Sequence, residues 1–394
     1  MEKPNHRLFL VMIMVTFAFS GWVNVEPALF DLLLIGLFVI ACLARLMMFN
    51  RPLLLPLFLL WAYVLSNLWS MYGVDHFGDS FYYLAITGYL NVLWFTIIGV
   101  TNRFGEQGRN AIIWGYVAAG VASAVSGIAA YWGVLPLQEF FLYLGRVKGL
   151  FKDPNVFGPF LVPIAMLSIM QLISAVKRSH QLFWLFSFLV TTVATLLSYS
   201  RAAWMNYIVS FLLLFALLIL IGKKKESARR LLYLFVGSCV TVVLLLVLLN
   251  TETVGGMMAE RFKLQKYDED RFATQTNILD HFEDYMIGVG PGQSERLANY
   301  APHSLYVRVL GENGIFGFTV LMGFLALTLF RSFYMSIYTK HRIAILCTAC
   351  LVGLYVNSIV IDTLHWRHFW ILLAIPWTFS TEGSRLTTSK GGTL

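Results

Sequence analysis

Charge is what this sequence has least of. Asp, Glu, Lys and Arg make up 13% of its 394 residues, against 58% hydrophobic, where an average soluble chain carries about 25% charged residues. So much apolar surface cannot be hidden inside one globule, which excludes a water-soluble domain and makes a bilayer the solvent. Cysteine is thin too: four in a chain of this size build no disulfide framework. Cys347 and Cys350 stand within an apolar run with no His or Cys partner nearby, and they read as inert packing. No small-residue cleavage site follows the first apolar run, so that run reads as a retained helix and not a signal peptide. Internal repeats, coiled-coil heptads and low-complexity tracts are missing, which leaves one integral membrane domain over residues 1–394.

What is present is a series of apolar windows of about 20 residues, the length that crosses a bilayer core. Twelve run approximately over 8–24, 28–44, 52–70, 81–100, 110–132, 156–176, 182–200, 202–222, 231–249, 304–330, 343–361 and 368–381. They predict an all-α, polytopic helical membrane protein. With the N-terminus placed in the cytoplasm, 18 of the 29 cations fall in inside segments: Lys3, Arg7, Arg45, Arg51, Arg103, Arg109, Lys177, Arg178, Lys223, Lys224, Lys225, Arg229, Arg230, Arg331, Lys340, Arg342, Arg385 and Lys390. Ten fall outside, at Arg146, Lys148, Lys152, Arg201, Arg261, Lys263, Lys266, Arg271, Arg296 and Arg367, and Arg308 lies within a span. Every inside segment has at least two cations, so both termini inside satisfies the positive-inside rule. The net charge of +8 therefore reports topology and calls for no nucleic acid.

Most connections are short, but residues 250–303 form a 54-residue outer segment, and loops of that length commonly act as lids or sites. Within it Phe272, Gln275, Leu279, Phe282 and Met286 recur at helical spacing. They predict an amphipathic helix over about 268–286 that lies along the membrane surface or caps the bundle. Gly288, Gly290 and Gly292 then break the pattern. No strand precedes them, so they are not a nucleotide-binding loop.

Several cations sit where cations should be scarce. Arg201 lies between two apolar spans with almost no loop, after Ser198-Tyr199-Ser200. Holding it at the outer interface without a nearby carboxylate is costly, which marks a functional site; the alternative is snorkelling to lipid phosphates. Arg146, Lys148 and Lys152 stand against Asp153 alone in a turn-rich segment, and Asp153-Pro154-Asn155 is a helix-start signal. Arg271 follows Asp268-Glu269-Asp270, acids that suit the positive end of a helix dipole. Asp268 and Asp270 are also spaced as a metal-binding pair, but such Mg²⁺ sites rely on substrate phosphates from a nucleotide pool, which this face lacks. Arg271 itself has the planar fork that grips a phosphate.

The tenth span is the richest stretch. Ser304, Arg308 and Glu312 stand four apart and share one helix face, which predicts an intramembrane hydrogen-bonded ion chain. At 1.5 Å per residue Arg308 lies roughly 7 Å below His303. Gly311, Gly314 and Gly317 recur every three residues and predict close helix packing. His303 caps the arrangement at the outer interface, where a neutral imidazole accepts a proton from a hydroxyl. Asp362, His365 and His368 cluster around Arg367 at the last outer turn, as a weak metal face or a supporting structure.

The segment His303-Ser304, residues 305–313, Gly314 and Gly317 resembles the signature of the O-antigen ligase and O-antigen polymerase superfamily: His, then Asn, Ser or Gln, nine residues, and Gly-x-x-Gly. Ser200-Arg201-Ala202-Ala203, the stretch from Arg271 through Gly292, and the stretch from Arg146 to Asn155 resemble the family too. The resemblance implies a periplasmic glycosyltransferase in the bacterial inner membrane, acting in lipopolysaccharide biosynthesis. It would move a glycan from undecaprenyl diphosphate to a sugar hydroxyl on a lipid-linked acceptor, without nucleotide, metal or other cofactor. By that resemblance His303, Arg201 and Arg271 are catalytic; Arg146, Lys148, Lys152, Ser304 and Tyr306 contact substrate; and Arg308 and Glu312 fix the helix carrying His303. The acceptor is lipid A–core for a ligase, or another lipid-linked repeat unit for a polymerase. Two further classes stand beside the enzyme reading, a secondary transporter and a non-catalytic envelope scaffold. The short central linker and the outer placement of the polar cluster weigh against a transporter.

Overall fold

The computed structural model describes residues 4–379, apart from 73, 75, 222–226, 264–265 and 298–301. Lys3, Lys223, Lys224, Lys225, Arg385 and Lys390, which enter the charge count, lie outside the described residues. Backbone that cannot hydrogen-bond to water in lipid must satisfy itself within a helix, and each of the twelve apolar windows falls on one. In chain order these are α1 (Pro4–Ala18), α2 (Leu29–Leu43), α3 (Leu54–Ser70), α4 (Phe77–Phe104) and α5 (Glu106–Tyr131). A one-turn α6 (Gln138–Phe141) and a minimal antiparallel hairpin, β1 (Leu142–Tyr143) and β2 (Arg146–Val147), lead into α7 (Pro154–Leu172). Then come α8 (Arg178–Leu197), α9 (Arg201–Ile221), α10 (Ser227–Leu249), α11 (Glu252–Phe262), α12 (Lys266–Asp280), α13 (Leu305–Thr339), α14 (Arg342–Asn357) and α15 (Arg367–Ala374). Among the described residues seven helices are long and apolar enough to cross a membrane, namely Arg51–Ser70, α4, α5, α7, α8, α9 and α13. Of the other five expected spans, α1, α2 and α14 are helices of 15 or 16 residues, α15 has eight, and α10 meets the apolar criterion only over Phe235–Leu244.

The core is centred on α7, which is buried along almost its whole length and packs on α8, α9, α14 and α5. Pro159 and Pro163 sit inside it, tolerated because surrounding helices enclose the backbone they disturb. Close packing on α7 positions the N-terminal end of α9. A Cβ on Gly158 would come within 2.6 Å of Ala203 Cβ and 2.8 Å of Ser198 Oγ, so glycine lets the α8–α9 turn lie against the start of α7. In that turn Tyr199 takes a left-handed φ of 48°, and its hydroxyl stands 2.9 Å from that of Tyr131. The chain thereby reverses within three residues, and Arg201 becomes the first residue of α9.

Two expectations need correction here. The predicted 268–286 helix is α12 followed by a separate 3-10 turn over Phe282–Tyr285, and α11 precedes it. On its protein-packed side Ile278 is buried with Leu297 and Val307, and Thr274 is buried. Phe272, Leu279 and Met286 are each more than half exposed. The glycines of the tenth span do not simply let helices approach. Gly317 does pack on Ser66 of α3, but Gly314 has φ 64° and ψ −171° and breaks α13 into two helical pieces.

Candidate active site

At one end of the bundle the N-termini of α7 and α9, the β1–β2 hairpin, α11, α12 and Val360 and Ile361 after α14 line a cavity of about 640 Å³. Four guanidinium groups line it, from Arg146, Arg201, Arg261 and Arg271, with Asp153 the one carboxylate among the described lining residues. Tyr143, Asn155, Tyr199, Ser200 and Gln275 supply polar atoms. Arg146 is 6% exposed and held in place by two acceptors: its Nε donates to Ser198 O at 2.9 Å and its Nη2 to Asn155 Oδ1 at 2.8 Å. The Asp153 side chain accepts from Asn155 N at 2.8 Å and caps α7, as the Asp-Pro-Asn signal predicts. Ser200, Arg201 and Ala202 bring the start of α9 to the same wall. Two helix N-termini and four cations thus face one space, which gives it the physics of an anion site.

His303 stands beside this cavity and not in its lining. The charges acting on it come from Arg271 on α12, Asp362 on the turn before α15, Asp153 at the α7 cap and Arg308 on α13. Burial, then Arg271, lowers it to about 4 from the ordinary 6.5, with Asp362 and Asp153 opposing. It is a neutral imidazole at neutral pH, and a neutral imidazole has a nitrogen lone pair to offer a proton.

Behind His303 lies a charged network. Arg308 Nε donates to Glu312 Oε1 at 2.9 Å and its Nη1 to Asp362 Oδ2, and the guanidinium stacks over Tyr83 at 4.9 Å. Ser294 donates to Glu312 at 2.7 Å. Burial would raise the Asp362 carboxyl, but Arg308, helped by His365, holds it below the usual range. The expected chain through Ser304 is corrected: Ser304 turns its hydroxyl to Ser358 O at 3.5 Å, and Asp362 and Ser294 take its place. The reason is that helix α13 starts at Leu305, so Ser304 is extended backbone and does not share the helical face.

Of the five expected substrate contacts only Arg146 lines the cavity. Lys152 pairs with Glu26 at 3.0 Å, Tyr306 donates to Tyr355 O at 2.8 Å, and neither Ser304 nor Lys148 lines the space. The Asp362, His365 and His368 cluster comes apart. His365 Nε2 is 3.2 Å from Thr87 Oγ1, His368 packs edge-on to Phe160, and Arg367 clamps Asp31 on α2 at 2.5 and 2.6 Å. Among the described residues no group of three His, Cys, Asp or Glu is arranged to hold a metal ion, and the Asp268 side chain lies outside what is described. Cys347 and Cys350 are buried free thiols. Arg261 is a lining residue the sequence did not single out as a site residue. Its only signal was a cation on the outer face.

Residues 186–322 match a family model described as O-Antigen ligase. That stretch contains Arg201, Arg261, Arg271, His303, Arg308 and the Gly314-x-x-Gly317 break, while Arg146, Asp153 and Asp362 lie beyond it. No curated protein matches the chain. The match covers about a third of the chain, and over that stretch the protein is similar to the O-antigen ligase family.

Proposed function

We propose that the cavity holds the diphosphate of a glycan linked to undecaprenyl diphosphate, and that the protein transfers this glycan to a sugar hydroxyl at the periplasmic face of the inner membrane. The observation that carries the reading is four guanidiniums and two helix N-termini around one space, with a single carboxylate among the described lining residues. Arg201 and Arg271 grip the diphosphate through their planar forks, and Arg146, fixed by Ser198 and Asn155, forms a rigid wall. His303 takes the proton of the acceptor hydroxyl as that oxygen attacks C1 of the donor sugar. The C1–O bond to phosphate breaks, and the electron pair leaves with the diphosphate, whose growing charge the arginines stabilise. The bond broken already stores the energy, so the reaction needs neither nucleotide nor metal.

We read the acceptor as lipid A–core, a ligase reaction; joining of lipid-linked repeat units, a polymerase reaction, is the second reading. Both termini sit in the cytoplasm in either case. Purified protein given lipid-linked repeat units alone decides between them: chain growth makes it a polymerase, and transfer only when lipid A–core is added makes it a ligase. Full activity in both His303→Ala and Arg201→Ala would refute the enzyme reading.

A further inference from the structure

The cavity arginine Arg271 and the candidate base His303 sit on different elements, joined by the segment 281–304. Something must fix their separation, because misplacement on the order of 1 Å costs about a hundredfold in rate. The contacts that do this are main-chain and buried polar ones. Val289 N donates to Gly311 O and Gly290 N to Glu312 O, both at 3.0 Å, and Ile315 N donates back to Met286 O at 3.0 Å. Gly314 permits this exchange. Its positive φ opens the helix there, and a Cβ would meet Met286 O at 2.2 Å. Farther along the segment, Ser294, 4% exposed, donates to Glu312, which holds Arg308, which in turn holds Asp362. Toward the cavity, Asn277 Nδ2 on α12 donates to Leu297 O at 3.1 Å, next to the Ile278, Leu297 and Val307 cluster.

Resting on the proposed reaction, we infer that the segment 286–297 is a registration clamp, with Ser294 and Glu312 as positioning residues that fix the distance between the phosphate-holding arginine on α12 and His303 ahead of α13. Neither residue touches the cavity. Both act through the broken helix, so they bear on the reacting geometry and not on donor binding.

Gly314→Ala would strain the fold itself, so the test uses Ser294→Ala, Glu312→Gln and Ser294→Thr. Ser294→Ala and Glu312→Gln are expected to lower kcat about tenfold or more while leaving the donor KM within about twofold, and Ser294→Thr, which keeps the hydroxyl, restores kcat. Hydrogen exchange at the Val289 and Gly290 amides is read in the same proteins without any reaction, and its protection is expected to fall in both weakened variants. Unchanged kcat with unchanged protection overturns the clamp, as does a rise in donor KM in step with the loss of kcat. If the wild-type protein transfers no glycan, the reaction reading has failed, and the exchange measurement still tests the clamp by itself.

Discussion

Titration of His303 separates a proton acceptor from a structural imidazole. Burial and then Arg271 lower it to about 4, against Asp362 and Asp153. kcat/KM follows ionisation in the free enzyme and kcat follows it in the loaded complex. Because the group is depressed and must be neutral to act, activity is full above its pKa and is lost as pH falls through it. The acid limb of kcat/KM is therefore expected near pH 4. A bound diphosphate sets negative charge beside Arg271 and cancels part of what depresses His303. One charge on the order of 8 Å away is worth about 2 kcal/mol at an effective dielectric of about 20, enough to move the limb by more than about one pH unit. The limb of kcat is thus expected above that of kcat/KM, toward 6.5. The assay is initial rates of glycan transfer by purified protein in lipid nanodiscs between about pH 4 and 8, with donor concentration varied at each pH. Coincident limbs, or a kcat/KM limb at 6.5 or higher, would refute the proton-acceptor role.

Arg201→Lys keeps the charge at the start of α9 but loses the two-pronged grip, and is expected to cost about a hundredfold in kcat; near-normal turnover would reduce Arg201 to simple charge placement. Lys152→Ala is expected to leave donor kcat and KM within about twofold, since its ammonium faces Glu26 on an exposed surface and such pairs contribute under about 1 kcal/mol. Arg367→Met strands Asp31 in a nearly buried pair and should destabilise by about 3 kcal/mol, seen as a lower unfolding temperature in detergent. Adding Asp31→Leu to it is expected to recover most of the loss.

Helix positions were legible because long apolar runs fold as helices in lipid, and among the described residues seven of the expected spans are long and apolar enough to cross a membrane. Arg201 and His303 were legible for a related reason: a polar group at the end of an apolar run is costly, so it stands out. Arg261 did not stand out, because it closes α11 among polar neighbours where a cation is ordinary. Apolar exposure carries no penalty against lipid, so the apolar face of α12 need not be the one that packs on protein. Periodicity then finds an amphipathic face but does not say whether protein or membrane covers it, and Phe272 and Leu279 stay exposed while Ile278 is buried. Asp362 escaped as the partner of Arg308 because spacing reveals neighbours four apart, as with Glu312, and not 54 apart. The three glycines of α13 show the same limit most clearly. Their spacing announces close approach, but the approaching group at Gly314 is the main chain at Met286 and Ile287, and meeting it requires a backbone angle that no side-chain pattern encodes. In this chain His303 stands just ahead of α13, and Gly314 breaks that helix where the main chain of 286–290 docks on it.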